Sequence, residues 1–200
     1  MHIACLDLEG TLAPEIWIEF AHESGIGELT RTTRDEPDYA KLMDWRLGVL
    51  RDNGLKLADI QAVIARIEPL EGAMDFIARL RRFTQAVIIS DTFEQFASPI
   101  MEKMGWPTIF CNTLDVGADG TIDGYTLRAG NMKVNTVRAL QQMGYDTIAA
   151  GDSHNDLGMI RASKAGFLFR APDAIRADNP DIEAFDDYGQ LLSAFERECA

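Results

Sequence analysis

Short apolar runs rich in β-branched residues alternate along the chain with segments of helical period, and this alternation restricts the possible folds more than any other feature. "HIACLDL" at His2, "QAVIIS" at Gln85, "TIFCNTL" at Thr108, "DTIAAG" at Asp146 and "AGFLF" at Ala165 read as buried strands. Helical patterns lie between them, near "GAMDFIARLRRF", "FEQFASPIMEKMG", "NMKVNTVRALQQMG" and "NDLGMIRASK". Strands joined through helices predict an α/β fold, a Rossmann-like, mostly parallel sheet flanked by helices, with ligands at the carboxyl ends of the strands. Two segments depart from the pattern. "DVGADGTIDGYTL" carries the Gly and Asp-Gly signals of a small hairpin. Between the first strand and Gln85 there is no strand signal, only helical patterns near "EIWIEFAHESG", "DYAKLMDWRLGVLRDNG" and "LADIQAVIARI". That stretch is too long for one crossover. Residues 14–70 are therefore expected to form a small helical insertion over the strand ends, with "EPLEG" returning the chain to a core of residues 1–13 and 71–200.

The composition suits one folded domain with a modest insertion, since 46% of the 200 residues are hydrophobic. No signal peptide and no membrane helix is legible, so the expected location is cytoplasmic. A net charge of −13 argues against nucleic acid or an anionic membrane as partner. An anionic substrate would have to be captured by local cations. Cys5, Cys111 and Cys199 are odd in number and widely spaced, which predicts free thiols. A monomer or small homo-oligomer is expected.

Acids cluster where strands should end. Asp7 and Glu9 lie two residues apart at the close of the first strand, and alternation in extended chain would point both the same way. Two like charges in one small space repel unless one takes up a proton or a cation sits between them, and a hard divalent ion is the economical answer. A solvated turn would account for "LEGT" equally well if it stood alone. "IISDT" places Ser90 at the end of the next strand, with Thr92 and Gln95 spaced as a capping box, and a helix start beside a strand end attracts anions. In "AGNMKV", Asn131 is spaced as an N-cap, so Lys133 falls in a first turn, where its charge opposes the helix dipole unless an anion is bound nearby. "GDSHND" adds Asp152 and Asp156, a second acidic pair at a second strand end. In the insertion, Tyr39, Leu42, Met43, Leu47 and Leu50 make an apolar stripe that includes Arg46. A guanidinium on an apolar face needs a partner, either a neighbouring acid such as Asp44 or Glu15, or a substrate carboxylate held bidentately.

In this order and placement "DLEGT", Ser90, Lys133 and "GDSHND" resemble the motifs of the haloacid dehalogenase superfamily of aspartyl-phosphate phosphatases. The resemblance spans nearly the whole chain and makes the insertion a type 1 cap. Within the superfamily the chain is most similar to the phosphoserine phosphatases, and to their bifunctional branch that also transfers the phosphoryl group to homoserine, through "LDLEGTLAPEIWIEFA", "TTRDEPDYAKLMDWRL", "GLKLADIQAVI" and "SDTFEQF". The resemblance implies Asp7 as nucleophile and Glu9 as general acid and base. It implies Mg2+ held by the carboxylates of Asp7 and Asp152 and the backbone carbonyl of Glu9. It implies Ser90, the Asp91 backbone N–H and Lys133 on the phosphate, Asn155 at the substrate, and Asp156 orienting Lys133 or a metal-bound water. Arg46 and Glu15 would read the carboxylate and ammonium of phosphoserine. Glu9 departs from the family's usual Asp by one methylene, which lengthens its reach. A phosphoacceptor receiver domain also gathers acids, a hydroxyl and a Lys at strand ends, but its acceptor follows an acidic pair on a middle strand, and no long cap follows it. A phosphatase for another small phosphorylated metabolite, or a non-catalytic binding protein on the same scaffold, are the remaining alternatives.

Overall fold

The computed structural model describes residues 1–32, 35–36, 38–128 and 130–200. Strand β1 (His2–Leu6) is followed by α1 (Ile16–Ser24), α2 (Tyr39–Asp52), α3 (Leu57–Ile64) and α4 (Ala73–Leu80) before β2 (Gln85–Phe93) begins. Then come α5 (Glu94–Lys103), β3 (Ile109–Val116), β4 (Ile122–Thr126), α6 (Met132–Gln142) and β5 (Asp146–Gly151). The chain ends with α7 (Leu157–Ala162), β6 (Ala165–Phe169), α8 (Asp173–Asp178), β7 (Ala184–Phe185) and α9 (Tyr188–Cys199). The sheet order is β4-β3-β2-β1-β5-β6-β7, and every pairing is parallel except that of β3 with β4.

Alternation along β1 explains the layers. Ala4 and Leu6 join a core that includes Phe76 and Leu80 of α4, Phe96 of α5 and Phe195 of α9. Ile3 and Cys5 join a second core with Val137 and Leu140 of α6, Ile160 of α7 and Ile175 of α8. A strand buried on both faces has no need of polar alternation, so "HIACL" reads as a continuous apolar run. From β1 the chain moves outward through β2 and β3, then returns to lay β5 on the other side of β1. Connections diverge there, and the crevice outside the carboxyl ends of β1 and β5 is where a doubly wound sheet takes its ligands. Helices α1 to α3 contribute Ile16, Phe20, Leu47, Leu50 and Ile64 to the first of the two cores.

Several expectations need correction. Thr92 and Gln95 form no capping box, because β2 runs on through Phe93 and α5 starts without a side-chain cap. Gln95 instead clasps β3, donating to the Leu114 carbonyl at 3.0 Å and accepting from its amide at 2.9 Å. Asn131 occupies the N-cap position of α6, but in the left-handed region (φ 54°, ψ 46°), and its side chain caps nothing. Glu15 sits one residue outside α1, at its N-cap position. Elements α8, β7 and α9 went unread in the sequence. The three cysteines are free, as expected. Among the described residues no helix is long and apolar enough to cross a membrane.

Candidate active site

The crevice collects side chains from the ends of β1 and β2, from α6 and from the loop after β5. Asp7 leaves β1 with its amide donating to the Ala150 carbonyl of β5 at 3.0 Å, so the β1–β5 ladder continues one step past the strand and fixes the Asp7 backbone. Lys133, from the first turn of α6, reaches Asp7 at 2.8 Å and Asp156 at 2.6 Å, with the Asp91 carboxylate 3.9 Å away. Asp156 is held in turn: its second oxygen accepts from the Asp152 amide at 3.1 Å, the Ser153 amide at 2.9 Å and the Ser153 hydroxyl at 2.8 Å. The box of Ser153 and Asp156 thus closes the loop after β5 and aims one carboxylate oxygen at Lys133. Gly10 and Gly151 are required by space. A Cβ on Gly10, where φ is +77°, would fall on the Asp152 carboxylate, and one on Gly151 would fall on that of Asp156.

Carboxylate oxygens of Asp7, Asp152 and Asp156 lie within 4.8 Å of one another, a separation suited to a metal ion. The Glu9 carboxylate is not part of that cluster. Because β1 ends at Leu6, the alternation that would aim both the same way does not extend to Glu9, whose carboxylate accepts instead from the Ile16 amide at 2.9 Å. Glu9 thereby serves the N-terminal amide of α1, which its extra methylene allows it to reach.

Charge in the crevice is unbalanced. Burial, then the neighbouring Asp156, raises the Asp7 carboxyl well above the usual range, and Lys133 only partly restrains it. Burial penalises the Lys133 ammonium as well, but Asp156, Asp7 and Asp91 more than offset this and hold it charged. One cation between two buried carboxylates leaves net negative charge, and a hard divalent ion with oxygen ligands would neutralise it. Asp152 is pushed up to about 7 by burial and then by Asp156 and Glu15. Glu9 is pushed up to about 7 by burial and then by Glu15.

A carboxyl with a raised folded-state pKa binds its proton more tightly when folded, so its contribution is present at low pH and lost as pH rises. For Asp152 that window runs from the ordinary 3.8 up to about 7. In chelator, Asp152→Asn is therefore expected to flatten the fall in thermal midpoint across this window relative to the parent chain. An unchanged pH profile would show that Asp152 is not held protonated.

The remaining predicted residues fall in different settings. Ser90 is buried, and its hydroxyl accepts from the Thr92 amide at 3.2 Å. The Asp91 carbonyl is held by the Tyr39 hydroxyl at 3.3 Å and by Asn112 Nδ2 at 2.8 Å, so α2 and β3 fix the same peptide. Among the described residues the exposed Asn155 side chain has no hydrogen bond, and Glu15, exposed at the N-cap position of α1, has no ion pair. Arg46 is 6% exposed. Its guanidinium lies 4.5 Å over the Trp17 ring, donates to the Arg31 carbonyl at 2.8 Å, and has no described carboxylate within ion-pair distance. Its Nε is buried without a partner. Burial lowers its pKa, while Tyr39, Glu9 and Glu15 act against that shift. Neither acidic neighbour considered from the sequence satisfies it: Asp44 lies 3.5 Å from the Tyr125 hydroxyl instead. Trp17 and Asn112 were not singled out in the sequence. A lone Asn inside the apolar run "TIFCNTL" was the available signal, since Asn is depleted in strands.

Comparison with known proteins places this geometry. Residues 4–161 match the haloacid dehalogenase-like hydrolase family. Phosphoserine phosphatase ThrH of Pseudomonas aeruginosa is 48% identical over 195 residues, covering 98% of this chain and 95% of that protein. A substrate-bound phosphoserine phosphatase complex superposes with a TM-score of 0.79 at 25% identity, covering 96% of this chain and 97% of the other. A phospho-aspartyl intermediate analogue of phosphoserine phosphatase gives 0.77 at 26% identity, over 96% and 97% of the two chains. With the acids, the lysine and the switch-point crevice in the matched region, the chain belongs to the haloacid dehalogenase-like hydrolase family.

Proposed function

We propose that the chain is a Mg2+-dependent phosphoserine phosphatase working through an aspartyl phosphate on Asp7, and that homoserine can replace water as acceptor. The observation that carries the substrate assignment is Arg46, a buried guanidinium under the influence of Glu9 and Glu15 whose Nε is unpartnered and which has no carboxylate within ion-pair distance among the described residues. Phosphoserine supplies that carboxylate, and Glu15 is placed to take its ammonium. The relatives named as phosphoserine phosphatases support the same reading. Residues 14–70 act as the cap that carries Arg46 and Glu15, over a core of residues 1–13 and 71–200.

The Asp7 carboxylate attacks phosphorus and displaces the serine oxygen, which takes a proton from Glu9. Water, or the homoserine hydroxyl, then gives its proton to Glu9 and attacks phosphorus, releasing Asp7. A carboxyl titrating at about 7 can both give and take that proton near neutrality. Lys133, the Ser90 hydroxyl and the Asp91 amide hold the phosphoryl oxygens, Asp156 holds Lys133, and Asn155 touches the departing amino acid. Asp7 and Asp152, with the Glu9 carbonyl, would hold Mg2+, which neutralises charge on the phosphoryl group. Since binding the ion requires ionised carboxylates, Mg2+ is expected to raise the thermal midpoint more at pH 8 than at pH 5. Equal stabilisation at both would count against a site built on Asp7 and Asp152.

Phosphate release from phosphoserine, run with and without homoserine and followed by 31P NMR, tests the whole reading. Release without a phosphohomoserine signal would remove the transfer, and no release would remove the substrate. A sharper test targets the cap. Arg46→Ala is expected to cost about 2–5 kcal/mol in kcat/KM on phosphoserine, as for loss of one partner of a buried charged pair, and far less on p-nitrophenyl phosphate. Arg46→Lys should recover little, because an ammonium cannot make the two-pronged contact. Equal losses on both substrates would mean that Arg46 only maintains the cap.

A further inference from the structure

A cavity of about 410 Å³ lies between β3 and α6 and shares no residue with the crevice. That is within the roughly 300–1,000 Å³ of small-molecule sites. It opens along a length of β3 that no strand covers: β2 pairs with Ile109 to Asn112 on one side, whereas β4 takes up the other side only from Thr113 onward. Ile109, Phe110, Met132 and Ala139 line it with apolar surface.

Two opposite charges border this apolar space without meeting. Arg128 donates through Nε to the Cys111 carbonyl at 3.1 Å and through Nη2 to the Thr113 hydroxyl at 3.0 Å, which fixes the guanidinium at the strand edge and leaves Nη1 open. Glu94, the first residue of α5, has neither hydrogen bond nor ion pair among the described residues. Both charges surround the same sulfur. Burial pushes the Cys111 thiol up to about 11, Glu94 adds to the rise, and Arg128 opposes it. Yet the two are not within 4.0 Å of each other, so neither neutralises the other.

We propose that this cavity binds a free α-amino acid with an apolar side chain, its carboxylate on Arg128, its ammonium on Glu94 and its side chain against Ile109, Phe110, Met132 and Ala139. Arg128 and Glu94 are both exposed at the rim, where a zwitterion meets each with its opposite charge while its side chain covers the apolar part of the wall. Serine and homoserine carry polar side chains that would leave those walls uncovered, so this site differs in chemistry from the crevice, and the proposal stands apart from the phosphatase reading. Met132 of the wall adjoins Lys133, and Glu94 follows the Ser90–Asp91 segment, so the bound amino acid would rest behind two segments that reach the crevice.

Calorimetric titration of the full chain with L-leucine tests this, alongside 4-methylpentanoate, which lacks the ammonium, and 3-methylbutylamine, which lacks the carboxylate. Leucine is expected to bind at least about tenfold more tightly than either analogue. Ala139→Phe, on an exposed helix surface, should fill the cavity and abolish binding, Glu94→Gln should weaken it by about tenfold, and Arg46→Ala should leave it unchanged. Analogues binding as well as leucine, leucine binding surviving Ala139→Phe in a folded variant, or loss of binding in Arg46→Ala would each overturn the assignment, as would no heat of binding at millimolar leucine.

Discussion

Asp7→Asn is expected to lower turnover of phosphoserine by at least about 10⁴-fold while the substrate still binds, because the variant keeps the shape of the crevice and loses the attacking oxygen. The amide also relieves the repulsion that raises Asp7 beside Asp156, so substrate affinity should hold or improve. Glu9→Gln should behave differently. It leaves the nucleophile intact and removes only the proton shuttle, slowing both formation and breakdown of the phosphoenzyme by about 10² to 10⁴. Rapid quench with acid, followed by a search for labelled protein, separates the two. A phosphoenzyme trapped in Asp7→Asn would remove Asp7 as the nucleophile.

Lys133→Met should produce the largest change in folding. Asp7 and Asp156 are 5% and 0% exposed, and Lys133 is the cation that touches both. Taking away one partner of a buried charged cluster costs about 3–5 kcal/mol, because carboxylates shaped around an ammonium are left against a methyl thioether. The sign of the pH dependence follows. Without Lys133 the Asp7 carboxyl, already raised by burial, holds its proton still more tightly in the folded chain than in the unfolded one, so the deficit should be greatest at neutral pH and shrink as pH falls toward the ordinary value of 3.8. Denaturant unfolding of parent and variant at pH 7 and pH 5 would measure it, and a deficit independent of pH would mean that the loss is one of packing.

The parts of this fold legible in the sequence are those whose environment is written locally. A strand covered on both faces is an unbroken apolar run, and "HIACL", "DTIAAG" and "AGFLF" could be read at once. The β3–β4 hairpin announced itself through its turn residues. Elements such as β7, two residues long, and α8, six residues long, carry too little pattern to be read; their stability comes from neighbours. At the site, acids at strand ends were visible because burial makes them improbable without a purpose. Which acid met which partner was not. Glu9 and Asp156 each contribute one carboxylate at a loop, and only the backbone path after Leu6 turns Glu9 toward α1, while the box with Ser153 after β5 leaves Asp156 among the metal-competent oxygens. Trp17 beneath Arg46 and Asn112 beside Asp91 are joined to their partners across distant segments, and no spacing in the sequence encodes such contacts.

The central place of β1 in the sheet has a consequence for how the molecule comes into being. Ile3 pairs with Gln85 on one side and Thr147 on the other, so the strand that carries the nucleophile is made long before either of its neighbours. During synthesis it must wait as an unpaired apolar segment, and closing such distant pairs sets a slow pace for folding. Of the described elements, the helices from α1 to α4 are the first that can form on the ribosome. The crevice, by contrast, has no existence until the loop after β5 has emerged, so no shorter nascent chain could expose a partly assembled and reactive centre to the cell.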